Sequence, residues 1–288
     1  MRQGPTLLLI FLFAVPAFAQ KKRIKLPDAL KEVSGMVRLN DGTLWMHNDS
    51  RNPPVMFRYD PMAEQIVEKK TLPLPNRDWE DITVDPSGKL YLGDFGNNGN
   101  ARRDLRIYIY QPYNQLLDSI LFVYPDQTAF PPQDESDWNF NCEAMVFWND
   151  SLHLFSKNVF KGDYTCKHYV LPAQPGLYTA VLRDKRVMPE RVVTGAALSH
   201  DGRTLALTGY TMGKQFGFLP KTRASVLFLT DWTDNRFLSG KMQKKKLPKC
   251  IFARQFESVT HVEGSVWLVA NEGRASQAQA LWRIKQKR

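Results

Sequence analysis

The sequence predicts an all-β fold, a single β-propeller of five four-stranded blades, and three observations carry that prediction. One pattern occurs five times along the 288 residues: EVSGMVRLNDGTLWMHND, DWEDITVDPSGKLYLGD, NCEAMVFWNDSLHLFSKN, VTGAALSHDGRTLALTGY and FESVTHVEGSVWLVANE. Each copy holds two apolar strands joined by a turn such as N-D-G, P-S-G, N-D-S or H-D-G, and copies recur at roughly 40 to 60 residues, the spacing of propeller blades. The last repeat is also one strand short, while a short alternating segment, Lys22 to Leu26, precedes the first. Pairing the two removes two free sheet edges at once, which closed β architectures require.

Alternation of apolar and polar residues between turn signals sets the strands in order. Repeat one reads as Val33 to Arg38, Thr43 to Asn48, Val55 to Asp60 and Gln65 to Leu72. Repeat two reads as Glu80 to Val84, Lys89 to Gly93, Leu105 to Tyr110 and Ser119 to Tyr124, with a polar loop after Asp94. A Pro-rich, acidic stretch from Pro125 to Trp138 reads as an insertion on one face; a degenerate blade there would make six. Repeat three is Cys142 to Trp148, Leu152 to Lys157, Cys166 to Leu171 and Tyr178 to Lys185. Repeat four is Val193 to Ser199, Thr204 to Tyr210, Ala224 to Thr230 and Arg236 to Met242. Repeat five is Phe256 to Val262, Val266 to Asn271 and Ala280 to Ile284.

Arg2, the apolar run Leu7 to Phe18 and the small-x-small Ala17-Phe18-Ala19 read as a secretory signal over residues 1–19, leaving a propeller domain over 20–288. The apolar run is shorter than the about 20 residues of a spanning helix, so the mature chain is expected without a transmembrane span. No cysteine follows the expected cleavage site after Ala19, which argues against a lipid anchor. A periplasmic or secreted monomer is the expectation. Cys142, Cys166 and Cys250 are odd in number, and Cys142 and Cys166 fall on non-adjacent predicted strands, a poor geometry for a disulfide. Lys and Arg outnumber Asp and Glu by 39 to 29. In an exported chain that surplus points to acidic envelope polymers or anionic lipid rather than to nucleic acid.

In a propeller the innermost strand of each blade lines a central channel, so the starts of first strands and the ends of second strands open on one face. The starts carry Glu32, Ser34, Trp79, Glu80, Asp81, Glu143, Thr194 and Glu257; the ends carry His47, Asn48, Asp49, Asp94, Asn97, Lys157, Asn158, Tyr210, Thr211, Asn271 and Glu272. Four of five starts are acidic. Carboxylates focused into one funnel call for a cation, a basic neighbour or a raised pKa, although polar residues at such positions also serve simply to satisfy loop amides. Calcium suits the oxygen-rich donors, and Glu32, Glu80, Glu143, Glu257 and Glu272 are the candidate metal ligands. Zinc-type Cys and His spacing is absent, as are an EF-hand loop and a G-x-S-x-G elbow. Asp81, Asp94 or His47 could serve as a general base.

The blocks EVSG, HNDS with NPP, DWEDI, and GDFGNN with a following Arg resemble secreted bacterial propellers of the phytase-like and SdiA-regulated type. The resemblance implies a calcium-capable funnel and, in some relatives, phosphoester hydrolysis. Carried over position by position, it points to Glu32, Ser34, Asn48, Asp49, Trp79, Glu80, Asp81, Asp94, Asn97, Asn98, Arg103 and Glu143. Repeat four departs from the pattern, having Ala197 where an acid is expected after T-G-A. The expected function is a calcium-dependent funnel that binds a small anionic or sugar-like ligand or an envelope polymer. The alternatives are a metal-dependent hydrolase of phosphoesters or lactones, and an envelope protein-interaction module.

Overall fold

The computed structural model describes residues 21–112, 115–158, 163–189, 191–215, 219–248, 255–273 and 278–287. The expected signal segment and Cys250 lie outside the described residues. Turn chemistry builds each blade: Gly42, Gly88, Gly202 and Gly264 all have positive φ between first and second strands, and Asn149 and Asp150 take left-handed φ at the same turn of blade 3. Glycine, asparagine and aspartate adopt that backbone most readily, so these turns fix where each hairpin reverses.

Blade 1 is β2 (Val33–Arg38), β3 (Leu44–Asn48), β4 (Val55–Asp60) and β5 (Gln65–Thr71). Blade 2 is β6 (Trp79–Val84), β7 (Leu90–Asp94), β8 (Arg106–Gln111) and β9 (Leu116–Val123). Blade 3 is β10 (Cys142–Trp148), β11 (Ser151–Ser156), β12 (Thr165–Pro172) and β14 (Val181–Val187), and blade 4 is β15 (Val192–Leu198), β16 (Leu205–Gln215), β17 (Leu219–Thr230) and β18 (Lys241–Lys246). Blade 5 joins β19 (Phe256–Glu263), β20 (Val266–Asn271) and β21 (Ala280–Lys285) to β1 (Arg23–Lys25) from the other end of the chain. That closure pairs Arg23 with Trp282 and Lys25 with Ala280, antiparallel.

The apolar core is split among the seams. Five clusters of buried side chains each bridge two neighbouring blades, as where Phe95, Ile107 and Phe122 of blade 2 meet Met145, Leu154 and Tyr169 of blade 3. Five seams between five blades close the ring. Among the described residues no helix is long and apolar enough to cross a membrane.

One expectation holds and two are corrected. The Pro125 to Trp138 stretch forms no blade; it lies over the seam of blades 2 and 3, with Asp126 bonding Lys167 and Tyr169 and Gln127 bonding the Asn100 carbonyl. The stretch read as the last strand of repeat three divides at Ala180: β13 (Gly176–Thr179) crosses back to pair in parallel with β9 of blade 2, and β14 completes blade 3. In blade 4 the outer strand is Lys241–Lys246 rather than Arg236 to Met242, because Phe237 and Leu238 turn into a 3-10 segment and bury against blade 3. Cys142 and Cys166 are buried free thiols.

Blade 3 also contains a polar row in an apolar seam. His153 Nδ1 stands 2.8 Å from His168 Nε2, and His168 Nδ1 stands 2.7 Å from Asp184 Oδ1. Burial holds His153 down to about 3, and burial holds the fully buried His47 of blade 1 down to about 4. Both imidazoles are therefore neutral when folded and take up protons on unfolding below pH 6.5. A depressed folded-state pKa means that the unfolded chain binds more protons in that window, so stability falls as pH drops from about 6.5 toward 4, by about 1.4 kcal/mol per pH unit for each such histidine. The buried carboxyl groups whose folded pKa is raised contribute with the opposite sign over this range, so the histidine contribution is read as a difference: urea melts of the wild type and of His153→Gln are expected to diverge by that slope, and parallel curves between pH 6.5 and 4.5 would refute the account.

Candidate functional site

The innermost strands share one irregularity that creates the site. In every blade the pairing of first and second strands slips at its start, between Val33 and Gly35, Trp79 and Asp81, Cys142 and Ala144, Val193 and Gly195, and Phe256 and Ser258. A bulge takes one residue out of the ladder and re-aims its side chain. The skipped residues are Ser34, Glu80, Glu143, Thr194 and Glu257, all polar and all buried. Three of the five ring positions are thus acidic, not four: Ser34 holds the blade 1 position, and Glu32 stands outside on the exposed rim, accepting from Asn52 at 2.8 Å.

Two hydroxyls of this ring staple blades together. Ser34 Oγ donates to the Glu80 carbonyl and Thr194 Oγ1 to the Phe256 carbonyl, each at 2.7 Å. The three acids meet functional neighbours instead. Glu80 converges with Asp49, from the end of β3, and Asp78, just before β6; one carboxylate oxygen from each lies within 4.8 Å of the others. Gly96 makes room for this meeting, since a Cβ there would collide with Glu80 Oε1 and the Asp78 carboxylate. Across the mouth, Lys157 Nζ sits 2.5 Å from both Glu143 oxygens and faces the Tyr210 ring, while Gln255 bridges Tyr210 and Glu257 at 3.0 Å each.

Electrostatics confirm that these groups share one space. Burial raises Glu80 well above the carboxylate range, and Glu143, Asp49 and Asp78 add to the rise. Burial pushes Glu143 up to about 8 against the pull of Lys157, and Glu257 also to about 8, with Glu272 contributing. Asp49 and Asp78 are raised by burial as well. Five carboxyl groups, Asp49, Asp78, Glu80, Glu143 and Glu257, thus surround one ammonium, Lys157, whose own pKa is raised because Glu143 and its neighbours outweigh burial. A second positive charge dropped among them would relieve the excess.

The remaining predicted residues serve the scaffold. Asp81 reaches across the channel, where its carboxylate accepts from the amides of Ile82 at 2.9 Å, Met145 at 2.8 Å and Ala196 at 3.4 Å, so it ties blades 2, 3 and 4. Asp94 is wholly buried and accepts from Arg102 and the Asp78 amide at 3.1 Å. His47 lies behind the ring, edge-on to Trp79 at 5.8 Å, with Gly35 leaving space for Nε2. Trp79 fills the seam of blades 1 and 2 and donates to the Pro75 carbonyl. Asn48 donates to the Ala29 carbonyl, and Asn271 accepts from Trp282 Nε1. Asn97 and Asn98 join Asn141 in an amide chain that orients Glu143, Asn141 Nδ2 donating to Glu143 Oε1 at 3.1 Å. Asn158 is buried beside Asp163, and Arg103 stacks on Phe130 at 3.9 Å, away from the funnel. Glu272 stands at the funnel edge beside Glu257.

Asp78 was absent from the residues singled out by sequence, although it is the first letter of DWEDI. Ala197 lines the opposite mouth of the channel, so the gap in the acidic ring is at Thr194.

No protein-family model matches the sequence, and no curated protein matches it. The structure is similar to those of β-propeller proteins. One is a PQQ-bound aldose sugar dehydrogenase from Streptomyces coelicolor, at 12% identity over 91% of this chain and 97% of that one, with a TM-score of 0.52. Another is an α-L-arabinanase from Penicillium chrysogenum complexed with arabinobiose, at 9% identity over 92% and 98%, TM-score 0.52. At such identities the likeness is one of fold.

The role of Asp81 makes a measurable claim. Asp81→Ala leaves three channel amides without their acceptor and is expected to cost about 3 kcal/mol or more, whereas Asp81→Asn, which keeps one oxygen, should cost less. Chemical denaturation reads both; a loss under about 1 kcal/mol for the alanine variant would show that water replaces the carboxylate.

Proposed function

We propose that this is an exported propeller whose funnel holds a divalent cation, calcium by its donor chemistry, and presents an anionic or polyhydroxylated ligand to it. The meeting of Asp49, Asp78 and Glu80 at Gly96 carries the reading. All three donors are hard oxygens, and oxygens facing each other across calcium are about 4.6–5.2 Å apart, the scale of this cluster. Bound there, calcium would supply Lewis-acid polarisation of a ligand oxygen. Lys157 offers an ammonium to an anionic group, and the Asn97, Asn98 and Asn141 chain fixes the Glu143 carboxyl that holds Lys157. The likeness of DWEDI and GDFGNN to phytase-like and SdiA-regulated propellers supports the same reading, as does the signal-like segment for export.

One observation favours a second reading, metal-dependent hydrolysis of a phosphoester or lactone. Glu143, pushed up to about 8, carries a transferable proton near neutral pH beside Lys157, whereas Asp81, Asp94 and His47 are engaged in the scaffold. A general acid or base works best when its pKa lies near the working pH.

Chelator-treated protein is expected to gain thermal stability with calcium, by about 2.7 kcal/mol once calcium reaches a hundredfold over its Kd. Glu80→Gln and Asp78→Asn should each remove most of that gain, while Glu32→Gln should not. No calcium response in the unmodified protein would sink the cation reading. A panel of phosphomonoester, phytate, phosphotriester and lactone substrates, with and without calcium and in Glu143→Gln, separates binding from hydrolysis.

A further inference from the structure

The channel has a second mouth, on the face away from the funnel, and it is built for a different ligand. The ends of the innermost strands of all five blades surround a cavity of about 600 Å³, inside the range of about 300–1,000 Å³ typical of small-molecule sites. Apolar side chains, Met36, Ile82, Val146, Trp148, Ala197 and Leu198 among them, make up a little over half of its wall. Asp81, bound to the Met145 and Ala196 amides, stands between this cup and the funnel.

Backbone donors face the cup in a broken pattern. Arg38, Val84, Phe147 and Leu198 hold the same register on their strands, opposite Leu44, Leu90, Leu152 and Leu205. At this register the N–H turns away from the ladder toward the channel. The Arg38 amide is taken by Thr260 Oγ1 at 3.2 Å and the Phe147 amide by Thr83 Oγ1 at 3.1 Å, in each case from the preceding blade. For Val84 and Leu198 the equivalent residues of the preceding blade are Val37 and Val146, with methyl groups where the hydroxyl would be. Among the described residues these two amides have no protein acceptor.

One cation, Arg38, and two acids, Asp85 and Asp150, line this mouth, and Lys89 stands 4.0 Å from Asp85. Arg38 lines the cup, and among the described residues no ion pair joins it to a carboxylate; Asp41, in the turn that follows it, pairs with Arg58. It also helps to hold His200 and His261 below the usual imidazole range, after burial. The nearby acids are committed elsewhere: Asp85 accepts from the Ser87 and Lys89 amides, Asp201 from Ser199 Oγ and the Arg203 amide, and Asp150 sits on the exposed tip of its turn. His261 uses both ring nitrogens internally, one toward Gly264 O and one toward His200. Arg38 and the two amides are thus the donors that this mouth leaves uncommitted, with Asp150 at its rim.

We propose that this mouth is a second binding site, for a small organic anion with an apolar body, its carboxylate on Arg38 and on the Val84 amide of the adjacent blade. The site is independent of the funnel and of any cation there. Calorimetric titration of the full chain with octanoate and with octanamide, its neutral counterpart, tests it. Octanoate is expected to bind at least tenfold more tightly than octanamide; equal binding, or no octanoate binding, overturns the proposal without reference to any variant. Arg38→Met should weaken octanoate at least tenfold and erase its advantage over octanamide, with Arg38→Lys restoring part of it, and Ala197→Trp should block both ligands by filling the cup. Unchanged octanoate affinity in folded Arg38→Met would equally refute the assignment. Glu80→Gln, in the opposite mouth, should leave octanoate binding as it is.

Discussion

An innermost strand has a ladder partner on one side only, and its other edge presents backbone donors and acceptors to the channel. Buried backbone groups need partners, so this edge is the constraint around which the rest of the molecule is arranged. Small polar side chains meet it blade by blade: Ser34 reaches the Glu80 carbonyl, Thr194 the Phe256 carbonyl, Ser258 the Ser34 carbonyl, Thr83 and Thr260 the amides of the next blade. Asp81 gathers three amides at once. All of these bonds but the one from the Ile82 amide join different blades, so the wheel is held at its hub by polar staples and between blades by apolar packing.

The same constraint separates the two faces chemically. Where the bulge at the strand start carries a carboxylate instead of a hydroxyl, the side chain leaves the hub and joins the funnel. Glu80, Glu143 and Glu257 bring carboxyl groups together in this way, and Gly96 leaves the space in which Glu80 and Asp78 meet. At the far mouth the missing hydroxyls of Val37 and Val146 leave donors behind. One mouth is thus rich in acceptors and the other in donors.

The five repeats and the closure by the first strand were legible because turn residues and alternation are local signals. Which side chains enter the funnel was less so, because a bulge changes the facing of every residue around it. Glu32 and Ser34 are two residues apart, and only the register of β2 against β3 shows that Ser34 occupies the ring. Asp78 precedes its strand and reaches the cluster through the loop geometry at Gly96, which no periodicity encodes. His47, Trp79 and Asn271 sit at the predicted mouth in sequence but turn into seams, since neighbouring residues of a strand face opposite sides. The crossing of β13 to blade 2 depends on an exposed edge of β9, a tertiary opportunity that the alternation of Tyr178 to Lys185 does not announce.

That crossing makes the wheel mechanically uneven. Between β12 and β14 of blade 3 the chain lends β13 to the sheet of blade 2, so that a four-residue parallel ladder straps the two blades across the seam that the Pro125 to Trp138 stretch covers. Across the ring, blade 5 is completed by three residues of β1, supplied from the start of the chain. The wheel is therefore strapped on one side and closed on the other by a strand of three residues.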